Sequence, residues 1–329
     1  MCDRCFFVLT LSHTLPPPNP PNPPTPPKLE KMTSSSLIIK RVTAASIATT
    51  AAPRARVVST RAGASKPPPS RRSVFLASGM SPLLRLASFA AGSGHVNLVA
   101  RAATSEIAKV LLDPKYPPEY PFGEKEMQRY DESSDFIFYS QPRFVRHIDD
   151  DAIRALTEYY ASVFPPSGND DVAILDVCSS WISHYPEGYA AGRISGLGMN
   201  EDELKKNPVL TDYVVRDLNE NPELPYEDNT FDVVTNAVSV DYLTRPLEMM
   251  KEVRRVLKPG GLAIMSFSNR CFPTKAVSIW TATGDLDHIW IVGAYYHYAG
   301  GFEAPAAEDI SPKPGKTDPM YVVFARKEA

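Results

Sequence analysis

Acidic residues are missing from a long early stretch of this 329-residue chain. From Lys31 to Ser105 there is no Asp or Glu, while Ser, Thr, Ala and Arg recur. That composition does not read as folded protein and matches an organelle transit peptide, most nearly a plastid one. Cysteine is scarce as well, with four in the chain. Cys2-Asp-Arg-Cys5 has metal-like spacing but no second pair, and Cys178 and Cys271 are too few for a disulfide scaffold or a zinc site. No metal is expected. Beyond residue 105 there is no uncharged apolar run long enough to cross a bilayer, so no transmembrane segment is expected. Positive charge is thin there too. Residues 1–105 hold 13 of the 35 basic residues and 2 of the 38 acidic ones, which leaves residues 106–329 at a formal −14. Such a surface repels phosphate backbones, from whose neutralisation nucleic-acid binding draws most of its affinity. A small-molecule substrate is expected, and no nucleic acid.

The early residues carry more than one signal. Pro16 to Pro27 is mostly proline, which gives stiff extended backbone with nothing to pack. Met32-Thr-Ser-Ser-Ser has the form of a transit-peptide start. Ser70-Arg-Arg-Ser-Val-Phe-Leu76 resembles a twin-arginine motif, and Ala100-Arg-Ala102 has the small-x-small form of a cleavage site. Chance supplies twin arginines readily in an arginine-rich leader, and Arg85 interrupts the apolar run that follows. The expected division is a disordered leader over 1–105, an irregular arm or cap over 106–149, and a folded domain over 150–329. The expected location is the chloroplast, with the stroma ahead of the thylakoid lumen.

Within the domain, apolar runs alternate with helical patterns. Asp149-Asp-Asp151 supplies N-cap candidates for a helix with Ile153, Leu156, Tyr160 and Val163 on one face. This region is either a cap over the sheet edge or a lid over substrate. Strands are expected at Val172–Asp176, Arg193–Asn200, Tyr213–Asn219, Phe231–Asn236, Leu262–Phe267, Glu308–Ser311 and Met320–Ala325. Pro246 suits the first turn of a helix that buries Leu247, Met250, Val253, Val256 and Leu257. Lys258-Pro-Gly-Gly261 ends it. Ile289, Val292 and Tyr296 mark a later helix that closes near Gly300-Gly301. Such alternation gives a parallel-rich sheet covered on both faces.

One stretch organises the rest: Val172-Ala-Ile-Leu-Asp-Val-Cys-Ser-Ser-Trp-Ile-Ser-His-Tyr-Pro186. A buried parallel strand ends in Asp176, and the turn after it is where an α/β fold places its ligand. Glycines normally let backbone close on that ligand. Here the turn reads Cys178, Ser179, Ser180, Trp181, Ile182. Pro186 and Gly188 make the following crossover short or irregular.

Leu224-Pro-Tyr-Glu-Asp-Asn-Thr-Phe-Asp-Val-Val234, followed by Glu252-Val-Arg-Arg-Val-Leu-Lys-Pro-Gly-Gly261, resembles the class I S-adenosylmethionine-dependent methyltransferases. The likeness runs from about Val172 to Arg326 and is nearest to the small-molecule branch that serves ubiquinone and menaquinone biosynthesis. It implies a Rossmann-like class I methyltransferase fold, an α/β seven-stranded mostly parallel sheet with helices on both faces, plus a small N-terminal helical cap. It implies S-adenosylmethionine as cofactor. It also implies that Asp176 orders the loop at the methionine moiety, that Asp217 and Leu218 face adenine, and that Asn236 lies beside the transferable methyl. Gly198 stands where the family has an acid that grips the ribose, so Asn200 or Glu201 is the replacement candidate. Ser179 and Ser180 hydroxyls are candidates to replace the glycine amides. Trp181 belongs to the same binding set, or plugs the space a glycine would leave. His184, Asp241 and Tyr242 are the weak candidates for a catalytic base. Asn269-Arg-Cys271 is a candidate for an anionic substrate group, and His288 and His297 have no assigned role. The expected activity is methyl transfer to a small molecule; the alternative is an inactive methyltransferase-like protein that binds another ligand or a protein partner.

Overall fold

The computed structural model describes Val58, Ser59 and residues 105–329. The transit-peptide reading, the twin-arginine segment and Cys2 and Cys5 lie outside the described residues. Strand β2 (Asn169–Val177) is the centre of the sheet, parallel to β3 (Ala191–Gly198) on one side and to β5 (Phe231–Ala237) on the other. Its side chains alternate between two cores, as a period of two requires. Val172 and Ile174 join a cluster with Leu156, Tyr160 and Val322. Leu175 and Val177 join another with Val253, Met265 and Tyr296.

The remaining strands are β4 (Asp212–Val215), β6 (Leu257–Phe267), β7 (Ala306–Asp309) and β8 (Tyr321–Arg326). A two-residue strand, β1 (Val58–Ser59), pairs antiparallel with β4, although it falls inside the expected leader. The order is β1-β4-β3-β2-β5-β6-β8-β7, and the pairs joining β4, β3, β2, β5 and β6 are all parallel. β8 runs antiparallel between β6 and β7. The seven expected strands are present, with β1 as an eighth on the edge. The third expected strand stops at Val215, so Asp217 and Leu218 lie in the loop beyond it. Between β2 and β3 there is no helix, as Pro186 and Gly188 foretold.

Helices cover both faces. The short α1 (Glu106–Lys109), α2 (Glu124–Met127) and α3 (Asp135–Phe138) are single turns in the arm. α4 (Asp150–Val163) begins at Asp149, whose carboxylate accepts from Ala152 N–H at 2.8 Å. α5 (Glu201–Lys206) follows β3, α6 (Pro246–Val256) precedes β6, α7 (Ser278–Thr281) is one turn, and α8 (Asp285–Ala299) ends at Gly300. α6 buries Met249, Met250, Val253 and Val256 completely, each worth roughly 1.5–3 kcal/mol of transfer from water. Leu247 is only partly buried. The Pro-Gly-Gly segment does not separate helix from strand. β6 starts at Leu257 and runs through it, with Gly260 at φ 74° and a register shift opposite Phe231–Val233.

The arm is not a loose appendage. Ile107, Leu111 and Met127 are buried in the same cluster as Leu175 and Val177. Arg129 holds Asp135 through its Nη1 at 2.7 and 2.8 Å, and Lys275, 1 % exposed, reaches the same carboxylate at 3.1 Å. Asn219, in the loop after β4, donates to Asp135 at 2.9 Å. Breaking a buried pair by removing one partner costs about 3–5 kcal/mol, because the other charge stays buried alone.

Gly198 has a packing reason. A β-carbon there would meet the Ser179 carbonyl well inside van der Waals distance, since Ser179 N–H donates to Leu197 O at 2.7 Å and lays the loop across the strand end. The acid that the family carries at this place has no room. Gly198→Asp is therefore expected to lose about 2–3 kcal/mol of stability, with a fall in Tm of roughly 4–12 °C in a thermal melt. An unchanged Tm would show that the loop yields freely.

Candidate functional site

β2 and β5 lie where the strand order reverses, and the crevice of such a sheet opens outside the carboxyl ends of its strands. Two loops leave that point with a non-glycine residue at positive φ: Cys178 at 58° and Val238 at 43°. A β-branched residue in this region is strained by about 1–3 kcal/mol and persists only where its surroundings fix it. Cys178 thus keeps a left-handed turn where a glycine would be the default.

The loop is held by one carboxylate. Asp176, buried to 3 % exposure, accepts from Ser179 Oγ at 2.6 Å and Ser183 Oγ at 2.7 Å through Oδ2, and from Thr235 Oγ1 at 3.0 Å through Oδ1. Ser180 Oγ donates to Glu203 on α5 at 2.6 Å, and Asn207 donates to Ser180 O at 2.9 Å. Both serine hydroxyl protons are therefore committed within the protein. Burial raises the Asp176 carboxyl to about 6, against the pull of the three hydroxyls.

Above these loops lies a cavity of about 480 Å³, within the usual range for a small-molecule site. Asp176, Ser179, Ser180, Trp181, His184, Asn200, Asp217, Leu218 and Tyr242 all line it. Trp181 does not fill it. The indole is half-buried at the rim, where Nε1 donates to Val145 O at 3.1 Å and the ring meets Phe144 edge-on. Asp217 accepts from Asn219 N–H at 2.8 Å, and burial raises its pKa. Asn200 is the N-cap of α5: its oxygen accepts from Asp202 and Glu203 N–H, while its amide donates to Tyr139 O at 2.9 Å. One amide proton of Asn200 remains for a ligand.

Two of the expected site residues do not line the cavity. Asn236 is completely buried beneath the loops, donating to Val177 O at 3.2 Å, with its Oδ1 unpartnered among the described residues. Ala237, Val238 and Ser239 take its place at the wall. Asp241 is also off the cavity wall, 3 % exposed, with Oδ2 unpartnered among the described residues. Burial lifts it to about 8, so it is mostly protonated at neutral pH. His184 faces the cavity from a left-handed backbone, φ 58°, with Nδ1 unpartnered among the described residues. Burial, with help from Arg146 and His147, pushes it down to about 4. A base works best near the operating pH, so His184 is neutral but weak. Tyr242 accepts from Phe272 N–H at 2.8 Å, and burial keeps its phenol protonated. Burial pushes the Cys178 thiol to about 12, which removes it as a nucleophile.

The sequence did not single out the roof. Asp135, Tyr139, Arg143, Val145, Arg146 and His147 of the arm line the cavity. The aromatic run around Phe136–Tyr139 was the available signal. Asn269, Arg270 and Phe272 close the far side; Arg270 leans on Asp318 at 3.8 Å. Among the described residues there is no cluster of metal-ligating side chains, and no helix is long and apolar enough to cross a membrane.

A fold with this strand order and this crevice can be set beside known proteins. Residues 193–265 match the family model described as "Methyltransferase domain". Over β3 to β6 the chain is thus similar to a methyltransferase domain, and its sheet has the Rossmann-like order expected of the class I S-adenosylmethionine-dependent methyltransferases. Within the class the likeness runs to the small-molecule branch. The chain is 52 % identical over 46 residues to the ubiquinone/menaquinone biosynthesis C-methyltransferase UbiE of Ruegeria sp. (strain TM1040), covering 14 % of this chain and 18 % of that protein. It is 33 % identical over 96 residues to the demethylmenaquinone methyltransferase of Chlamydia trachomatis serovar L2, covering 27 % and 41 %. The match thus spans less than half the length of these relatives. A solved S-adenosylmethionine-dependent methyltransferase from Mesorhizobium loti is similar at 17 % identity with a TM-score of 0.37, over 53 % of this chain and 98 % of that one.

The buried Asp241 carboxyl, desolvated beyond what its hydrogen bonds offset, sets a pH dependence. Folding raises Asp241 from 3.8 to about 8. A carboxyl raised in this way costs nothing below its unfolded value, and its cost grows until pH passes the folded value. Asp241→Asn removes that cost, so the variant should match wild type at pH 4 and exceed it by ~2–5 kcal/mol at pH 9. Thermal melts at the two pH values read this directly. An equal shift at both would mean that Asp241 finds a partner.

Proposed function

We propose that this protein transfers a methyl group from S-adenosylmethionine to a small molecule in the plastid. The observation that carries the reading is the open cavity beside Asp217 and Leu218, which the Trp181 indole lines and does not fill. The lining fits the cofactor. Asp217 accepts from the adenine amine, Leu218 covers the ring, and the spare Asn200 amide proton serves the ribose in place of the family's acid. That exchange weakens the ribose grip, since bonds to a charged acceptor are about twice as strong. Asp176 serves indirectly, by ordering the loop. When bound, the cofactor supplies a sulfonium-activated methyl group.

The residues here position and exclude water. Tyr139, Tyr242 and Phe272 wall the acceptor side with aromatic surface, and alignment in a dry site supplies most of the rate in such a displacement. Of the candidate bases that line the cavity, His184 is weak and Tyr242 stays protonated. This favours an acceptor that sheds its proton readily. The relatives are named for ubiquinone and menaquinone biosynthesis and for demethylmenaquinone, which supports a small organic acceptor. The acidic surface of residues 106–329 supports the same choice over nucleic acid. The acid-free composition of residues 31–105 supports the plastid, stroma ahead of lumen.

A second reading is a ligand-binding protein without transferase activity. The committed hydroxyls of Ser179 and Ser180 favour it, because neither is free to donate to the cofactor's carboxylate. Calorimetric titration with S-adenosylhomocysteine separates the two. A Kd below ~100 μM, about 5.5 kcal/mol of binding, is expected. No heat at millimolar ligand would remove the transferase.

A further inference from the structure

Arg143 is a cavity cation with no carboxylate partner among the described residues. Its guanidinium lies over the Phe138 ring at 4.1 Å from the centroid and within 5.2 Å of Phe272. Nη2 donates to Phe138 O at 3.0 Å. Nη1 is buried with no partner among the described residues, and no carboxylate forms an ion pair with Arg143. The other arginines of the cavity are engaged: Arg146 with Asp150, Arg270 with Asp318, and Arg216 with the Glu223 carbonyl. The buried cations behind the roof, Arg129 and Lys275, share Asp135. A charged donor left buried and unpaired is costly, which marks Arg143 as waiting for an anion.

Its backbone says which end of the cavity it serves. Arg143 N–H donates to Glu203 Oε1 at 2.6 Å, and Ser180 Oγ donates to Glu203 Oε2 at 2.6 Å. Glu203 therefore ties Arg143 to the same loop from which glycines are missing and where serine protons are spent. A planar guanidinium matches a carboxylate through two parallel hydrogen bonds. We propose that Arg143 is a carboxylate anchor, gripping the amino-acid carboxylate of a bound adenosyl ligand in place of the absent glycine amides. This rests on the reading of the cavity as a cofactor site. A carboxylate on the methyl acceptor would offer the same chemistry, because Phe272 brings Arg143 close to that side as well.

Calorimetry with three probes distinguishes the sources: S-adenosylhomocysteine, 5′-methylthioadenosine (the same nucleoside without the amino-acid carboxylate), and benzoate. Arg143→Met keeps an unbranched apolar stem and removes the charge, while Arg143→Lys keeps the charge and loses the fork. Matching thermal melts establish that each variant is folded. The expected result is a loss of at least ~10-fold in S-adenosylhomocysteine affinity for Arg143→Met, a smaller loss for Arg143→Lys, and 5′-methylthioadenosine unchanged within ~2-fold. If S-adenosylhomocysteine is unaffected but benzoate binding to wild type vanishes in Arg143→Met, the anchor stands and its carboxylate comes from the acceptor. If both nucleosides weaken equally, or none of the three probes changes, Arg143 is structural and the proposal is overturned. If wild type binds neither nucleoside, the cofactor reading fails on its own, and loss of benzoate binding alone then decides for or against the anchor.

Discussion

A carboxylate without a cation holds the loop that faces the cavity. Asp176 closes the central strand, and three hydroxyls from Ser179, Ser183 and Thr235 converge on it. Because the strand is fixed on both sides by parallel neighbours, this acid is a rigid post to which the following turn is tied. The consequences spread outward. Cys178 is forced into a left-handed conformation, and Ser179 is laid over Gly198 so tightly that no side chain fits there. The loop's own donors are turned inward. The hydroxyls of Ser179 and Ser180 are spent within the protein, so a ligand draws on other polar groups of the cavity.

The arm supplies them. Its short helical turns carry little stability of their own, since a single turn fixes several dihedrals for few hydrogen bonds. Charge and aromatic contact do the fixing. Asp135 gathers Arg129, Lys275 and Asn219 from three separate parts of the chain, and Phe138 packs against Phe272. The result is a roof whose polar face, including Arg143, looks into the crevice. Arm residues line the cavity, and Ile107, Leu111 and Met127 anchor the arm in the core.

The domain was legible in its strands because each buried strand writes a short apolar run, and the acid after Val172–Leu175 marks where the first one ends. The helix that opens with Pro246 was legible in the same way. Asp217 and Leu218 could be placed at the cavity because they follow a strand directly. Asn236 could not, since one step along a strand end turns a side chain from the wall to the floor beneath it. Asp241 could not, since it lies in the helical turn Val240–Tyr242 past that strand. The roof was illegible for a different reason: Lys275 and Asp131 meet across more than a hundred residues, and no local pattern encodes that contact. The meaning of Gly198 likewise depends on a loop folded over it, which a missing acid alone does not reveal.

The central claim is that this crevice, with its altered loop, still receives an adenosyl sulfonium. Ultraviolet cross-linking of methyl-labelled S-adenosylmethionine to the full chain, followed by peptide mapping, tests it most directly. The account predicts label on peptides that wall the cavity, those around Tyr139, Tyr242 or Phe272, suppressed by excess S-adenosylhomocysteine. Label absent, or spread over peptides remote from the cavity and indifferent to the competitor, would contradict it.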